Sequence, residues 1–123
     1  MEIKSLDPTT SLFDQLEQAG EGPVTVVFVW VVPEGTLQAS IDGWQEEAAH
    51  MRAQPGFISA QLYAGVGDKS RVVTVIAVWE SAEVLKAAFA TPEWQEAVVL
   101  PPGGTVVYPM LVRKAAVPGI CVA

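Results

Sequence analysis

The side chains of this chain that set a polar group or a large ring among apolar neighbours are few: Trp30, Trp44, Tyr63, Arg71, Thr74 and Tyr108. Taken singly, each tryptophan fits core filling and each tyrosine fits a hydroxyl at a sheet rim. Taken together they suit a pocket for a flat aromatic ligand, with apolar walls burying its rings and a few hydroxyls orienting its oxygens. A phenol of Tyr63 or Tyr108 can donate to an anion on such a ligand, and Arg71, reaching inward, can stabilise that charge. Other chemistries lack their residues. There is no Ser-His-Asp or Cys-His set and no phosphate-cradling GxGxxG loop. One cysteine, Cys121, and one histidine, His50, cannot make a disulfide framework or a zinc site of the usual ligands, so no metal is expected. Cys121 reads as packing in the apolar tail Pro118-Gly119-Ile120-Cys121. Asp42, Glu46 and Glu47 are close in sequence but lie off the apolar stripe of their helix, as does His50, and all four read as a solvated face.

The elements that must position these residues follow from periodicity. Val24 to Val32 is β-branched and aromatic throughout and is closed by Pro33, which predicts a buried strand. From Glu34 to Gln54 the residues Leu37, Ile41, Trp44, Ala48 and Met51 recur every three or four positions, which predicts an amphipathic helix ended by Pro55-Gly56. Strands over Phe57 to Ala64 and Arg71 to Trp79, joined by the polar turn from Gly65 to Ser70, form a hairpin. Ser81 caps a second helix that Thr91-Pro92-Glu93 restarts, since proline is tolerated at a first helical position. Thr105 to Arg113 is a last strand. Ahead of these, Ser11 and Asp14 predict a short capped helix, stopped by Gly20, standing as an appendage before the core. The order is βαββαβ, an α+β ferredoxin-like split βαβ fold with a four-stranded antiparallel sheet. One domain over residues 23–115, an N-terminal helical extension over 1–22 and a tail over 116–123 account for the 123 residues.

Half of the residues are hydrophobic and mean hydropathy is +0.33, yet the longest apolar run, Val24 to Val32, is less than half of the roughly 20 residues a membrane span needs. With no apolar signal core near the start, the expectation is a cytoplasmic protein without a membrane partner. A net charge of −7 and the lack of a basic cluster argue against nucleic acid. The excess of apolar residues has a place in the strands. The first strand carries Val24, Val26, Phe28, Trp30 and Val32 on one face and Thr25, Val27, Val29 and Val31 on the other, and the third is as apolar on both. Two helices cover one face only. The other face is expected to meet its copy in a symmetric homodimer, with the first and third strands central.

Val24 to Pro33, the turn Gln54-Pro55-Gly56-Phe57-Ile58-Ser59, Val78-Trp79-Glu80-Ser81 and Phe89-Ala90-Thr91-Pro92-Glu93-Trp94 together resemble the antibiotic biosynthesis monooxygenase family of the dimeric α/β barrel superfamily, over residues 24 to 114. The resemblance implies a dimeric α/β barrel and a cofactor-independent monooxygenase, or a related cyclising enzyme, acting on a small aromatic, polyketide-like substrate in secondary metabolism. Such oxygenation needs a substrate whose phenolate or enolate can itself give an electron to oxygen, so the protein need only bind it, favour the anion and exclude water. The substrate pocket is expected between helices and sheet, lined by Trp30 or Phe28, Trp44, Tyr63, Thr74 and Tyr108, with Tyr108, Tyr63 and Arg71 as the catalytic candidates. Other readings are a non-catalytic ligand-binding member of the same fold and a haem-binding or haem-degrading protein. The haem-degrading branch carries an asparagine, a tryptophan and a histidine ligand where this chain has Phe28, Ala88 and Val98, so no haem or other cofactor is expected.

Overall fold

Valine, isoleucine, threonine and tryptophan crowd the two stretches expected to be central, and both run as eight-residue strands. The structure is a computed structural model that describes residues 1–97 and 101–123. Its elements are β1 (Glu2–Ile3), α1 (Leu12–Gln18), β2 (Val24–Val31), α2 (Leu37–Ala53), β3 (Phe57–Ala64), β4 (Val72–Trp79), α3 (Ala82–Phe89), α4 (Pro92–Ala97) and β5 (Val106–Val112). The sheet order is β1-β5-β2-β4-β3, with β2 and β4 flanked by β5 and β3 in antiparallel pairing. This is the α+β ferredoxin-like arrangement. One correction applies to the sheet, which has five strands and is mixed, because Glu2 and Ile3 pair in parallel with Val106 and Val107. Two residues are too few to show a period, and only the backbone bonds from Glu2 N to the Thr105 carbonyl and from Lys4 N to the Val107 carbonyl, both 2.9 Å, define the strand.

Alternation along β2 sorts its side chains strictly. Val24, Val26, Phe28 and Trp30 are buried on the face that the helices cover, while Thr25, Val27, Val29 and Val31 are half-buried on the helix-free face. Val73, Val75, Ala77 and Trp79 of β4 and Val107 of β5 complete the inner face. Leu85 and Ala88 of α3 and Met51 of α2 close over it.

The N-terminal helix is not an appendage. Its capping box forms, with Asp14 N donating to Ser11 Oγ and Ser11 N donating to Asp14 Oδ2, both at 3.2 Å. Leu12 and Leu16 then insert into the common core, Leu16 with only 2% exposure. Gln15 grips the backbone of β5 twice: its Nε2 donates to the Leu111 carbonyl at 3.1 Å and its Oε1 accepts from Leu111 N at 2.8 Å. Lys86 Nζ of α3 reaches Glu17 Oε1 at 2.8 Å from the other side. The helix expected from Glu34 begins instead at Leu37, since Pro33 and Gly35, at φ +79°, make a turn closed by Thr36 N on the Pro33 carbonyl. Gly56 is required in the next turn: its φ is +86°, and a Cβ there would run into the Val84 side chain of α3.

Candidate functional site

Between α1, α3, α4 and the inner face of β2 and β5 lies a cleft of about 420 Å³. Its walls are built around one aromatic cluster. Phe28 projects from β2, where alternation turns it toward the helices, and Phe89 ends α3. Trp94 stands on α4, which exists because Pro92 restarts the helix after Ala90. Phe89 and Trp94 have ring centroids 4.9 Å apart, and Phe28 meets each of them at 6.2 Å, edge-on to Phe89. Trp30, Val107 and Pro109 extend this wall along the sheet. The opposite wall comes from the N-terminal segment, with Met1, Ile3, Leu12 and Phe13 all facing the cleft. Lys86 borders it too, its ammonium held more firmly protonated than usual by the hydrogen bond to Glu17. An apolar slot bounded by flat rings has the shape and surface that suit a flat aromatic molecule.

A single carboxylic acid enters this slot from α2. Glu47 is 6% exposed and lines the cleft together with a cavity of about 20 Å³, which it shares with Trp30, Ser40 and Trp44. That smaller cavity has room for one water. Among the described residues no group hydrogen-bonds or ion-pairs with the Glu47 carboxyl, and burial alone pushes its pKa up to about 8. Glu47 was expected on a solvated face and is corrected here, while its neighbours Asp42, Glu46 and His50 are exposed as expected. At about 100° per residue, Ser40, Trp44, Glu47 and Met51 form one narrow stripe. The buried stripe is thus turned by roughly 50° from the one defined by Leu37, Ile41, Trp44, Ala48 and Met51. A stripe centred on Ser40 and Met51 was the available signal for Glu47, and the i, i+5 pair Phe89 and Trp94 across a helix restart was the signal for the cluster.

The structure separates the residues expected to share the pocket. Phe28 and Trp30 line the cleft, and the Trp30 indole Nε1 is enclosed with no acceptor among the described residues. Trp44 faces the small cavity beside Glu47 and a groove with Met51, Phe57 and Ala60, and does not line the larger cleft. Tyr63, Thr74 and Tyr108 are on the opposite side of the sheet. The register Tyr108 to Val29, Val29 to Thr74 and Thr74 to Tyr63 places them in one cross-strand row of the helix-free face, where Tyr63 is 55% exposed. They had been expected under the helices, but the β-strand period of two turns them away once Phe28 and Trp30 face inward. Arg71 does not reach inward either: it is exposed at the start of β4 and its Nε donates to the Val32 carbonyl at 2.8 Å. Of the positions singled out by the haem-degrading resemblance, Phe28 and Ala88 are packed in the core, and Val98 lies outside the described residues. Cys121 was expected to pack but is exposed, in a tail turn bridged by Val117 and Cys121. No group of three or more potential metal ligands occurs among the described residues, and no described helix is long and apolar enough to cross a membrane.

Comparison with known proteins places this geometry in context. The sequence profile of the antibiotic biosynthesis monooxygenases matches residues 23–100. Among solved structures, the chain is similar to SnoaB, a cofactor-independent oxygenase from Streptomyces nogalater, at 22% identity and a TM-score of 0.69, over 80% of this chain and 98% of that one. It is also similar to a proposed monooxygenase from Shewanella loihica PV-4, at 26% identity and a TM-score of 0.65, over 80% of this chain and 100% of that one. A conserved protein from Methanosarcina mazei Go1 has the same fold at 14% identity and a TM-score of 0.59, over 72% of this chain and 90% of that one. No curated protein matches the sequence significantly.

Proposed function

The chain belongs to the antibiotic biosynthesis monooxygenase family, and from that premise we propose that it is a cofactor-independent oxygenase whose substrate is a flat, polyketide-like aromatic held in the cleft between α1, α3, α4 and the sheet. The observation that carries this reading is the slot of about 420 Å³ walled by Phe28, Trp30, Phe89 and Trp94. These rings hold a polycyclic substrate by its faces and keep water from the reacting carbon, and an electron-rich phenolate or enolate so held passes electrons to dioxygen directly. This reading makes no use of Tyr63 and Tyr108, whose register turns them to the opposite sheet face. That face supports a homodimer: no charged residue projects from it in β2, β3, β4 or β5, although the chain carries 14 acidic and 7 basic residues.

Oxygen consumption with an anthrone or hydroquinone probe tests the reading. Wild type is expected to consume oxygen, and Trp94→Ala, which opens one wall and leaves every residue of the central strands in place, is expected to lower kcat/KM by about 10-fold to 100-fold. Oxygen uptake that is absent across such probes overturns it.

A further inference from the structure

We propose that Glu47 is the catalytic base of this cleft, and that its substrates are phenols or their keto tautomers, bound with the acidic edge of the ring system turned toward α2. The inference deepens the oxygenase reading and rests on it.

Its grounds are geometric. Glu47 is a carboxyl enclosed by the fold, facing both the aromatic slot and the adjoining water-sized cavity. Isolated buried carboxyls are costly and rare outside functional sites, since a glutamine or leucine would fill the same volume without the penalty. The Trp30 ring lines both spaces as well and walls the slot beside Glu47. A proton acceptor at one end of an apolar slot matches a ring edge that carries an acidic hydrogen.

No fixed charge supplies Glu47 with another role. On α2, Asp42, Glu46, His50 and Arg52 are exposed, and on α4 so are Glu93 and Glu96. The inner faces of β2, β3, β4 and β5 carry no titratable group. Across the cleft, Lys86 is engaged by Glu17 and Glu83, Asp14 closes the α1 cap, Glu2 is exposed and pairs with Lys4, and Met1 lines the cleft. Burial raises the Glu47 pKa toward the range in which a carboxylate becomes a competent base for a weak carbon or phenol acid.

For an anthrone-type substrate the step balances as follows. The C–H bond of the CH₂ across the central ring from the carbonyl breaks, its proton forms the O–H bond of Glu47, and its electron pair delocalises through the rings onto the carbonyl oxygen as the enolate. Dioxygen is the oxidant. One of its atoms ends on the ring carbon as a carbonyl and the other leaves as water with both hydrogens of the original CH₂, one of them returned by Glu47.

The test compares wild type, Glu47→Gln, Glu47→Asp and the exposed control Glu46→Gln by oxygen consumption with anthrone between pH 5.5 and 9.5, corrected for uncatalysed oxidation. Binding of 9,10-anthraquinone is followed in parallel by tryptophan quenching. Wild type and Glu46→Gln are expected to show a rate that rises through about pH 8 and then levels. Glu47→Gln is expected to lose about 10²-fold to 10⁴-fold in kcat, and with it the enzymatic pH limb, while anthraquinone affinity changes by less than about 3-fold. Glu47→Asp, the safeguard should the glutamine variant fold poorly, is expected to keep a reduced rate with its limb at a different pH. Wild-type turnover in Glu47→Gln, or an unmoved limb in Glu47→Asp, overturns the assignment and leaves the oxygenase reading standing. Wild type that consumes no oxygen overturns both, and the quenching titration then shows whether the cleft still takes a flat ring.

Discussion

A buried carboxyl that stays protonated near neutrality leaves a mark on stability as well as on catalysis, and Glu47 is the residue to examine for it. Its pKa in the folded chain is raised to about 8 from an ordinary 4.5. Below pH 4.5 the group is neutral in both states and costs nothing further. Between the two values the unfolded chain ionises Glu47 while the folded chain cannot, so stability falls as pH rises, and above about 8 the loss is complete. A shift of this size corresponds to roughly 5 kcal/mol in total. Glu47→Gln removes the linkage. Urea melts at pH 5, 7 and 9 are expected to show the variant gaining on wild type at each step, and parallel stabilities would mean that Glu47 titrates normally. The sequence concealed this residue for a physical reason. Trp44, Ala48 and Met51 set the apparent stripe of α2, and a glutamate is assigned to water unless the exact rotation of its helix is known, which tertiary packing fixes. Phe28 and Trp30 were legible as sharing one face of β2, because the strand alternates without a break. Tyr63, Thr74 and Tyr108 were not assignable to a face from strands that are apolar on both sides, since only the register of β2 with β4 and β5 decides it.

At the scale of elements, strong periodicity and strong punctuation were read correctly and weak signals were not. The β-branched runs, the Ser81 cap, the restart at Pro92 and the Ser11 to Asp14 capping box all lie where the local chemistry puts them. The parallel pairing of Glu2 and Ile3 depends on where β5 ends, a long-range fact with no local signature. Helix α1 shows the same limit. Its cap is local and legible, whereas its place over β5 depends on Gln15 finding the Leu111 backbone nearly a hundred residues away in sequence. That placement makes α1 a wall of the cleft and a part of the core, so its substitutions should separate the two functions. Leu16→Ala removes a side chain with 2% exposure and is expected to cost about 2 to 4 kcal/mol in a urea melt. An appendage helix would register no such loss. The family profile begins at residue 23, so α1, whose Phe13 lines the cleft, lies outside the stretch that the profile matches.

For the whole molecule, the decisive feature is the contrast between the two faces of one sheet. The inner face is covered by the helices and holds the cleft. The outer face presents Val27, Val29 and Val31 of β2, Val72, Ile76 and Val78 of β4, and Val106, Met110 and Val112 of β5, with Tyr63, Thr74 and Tyr108 as its polar row. An apolar, uncharged face of this extent on a chain of net charge −7 is what two copies need in order to approach closely. A stable interface buries about 800 Å² per partner, and four strands side by side supply an area of that order. At about 25 cal/mol per Å² the gross gain exceeds the cost of association, so a dimer at micromolar concentration is expected. Multi-angle light scattering should report close to twice 13.1 kDa. Val29→Lys puts an ammonium at the centre of that face, beside Thr74 and Tyr108, where burial against a second copy leaves the charge unpaired. The variant is expected to run as a monomer with an unchanged β-sheet signature, because the inner core does not include Val29. It should also keep the quenching of tryptophan by anthraquinone, since the aromatic cluster is on the other side of the sheet. A wild-type monomer, or a Val29→Lys dimer of undiminished stability, would mean that the outer face is not where the copies meet. Loss of anthraquinone binding on dissociation would mean instead that the cleft depends on the partner for its shape.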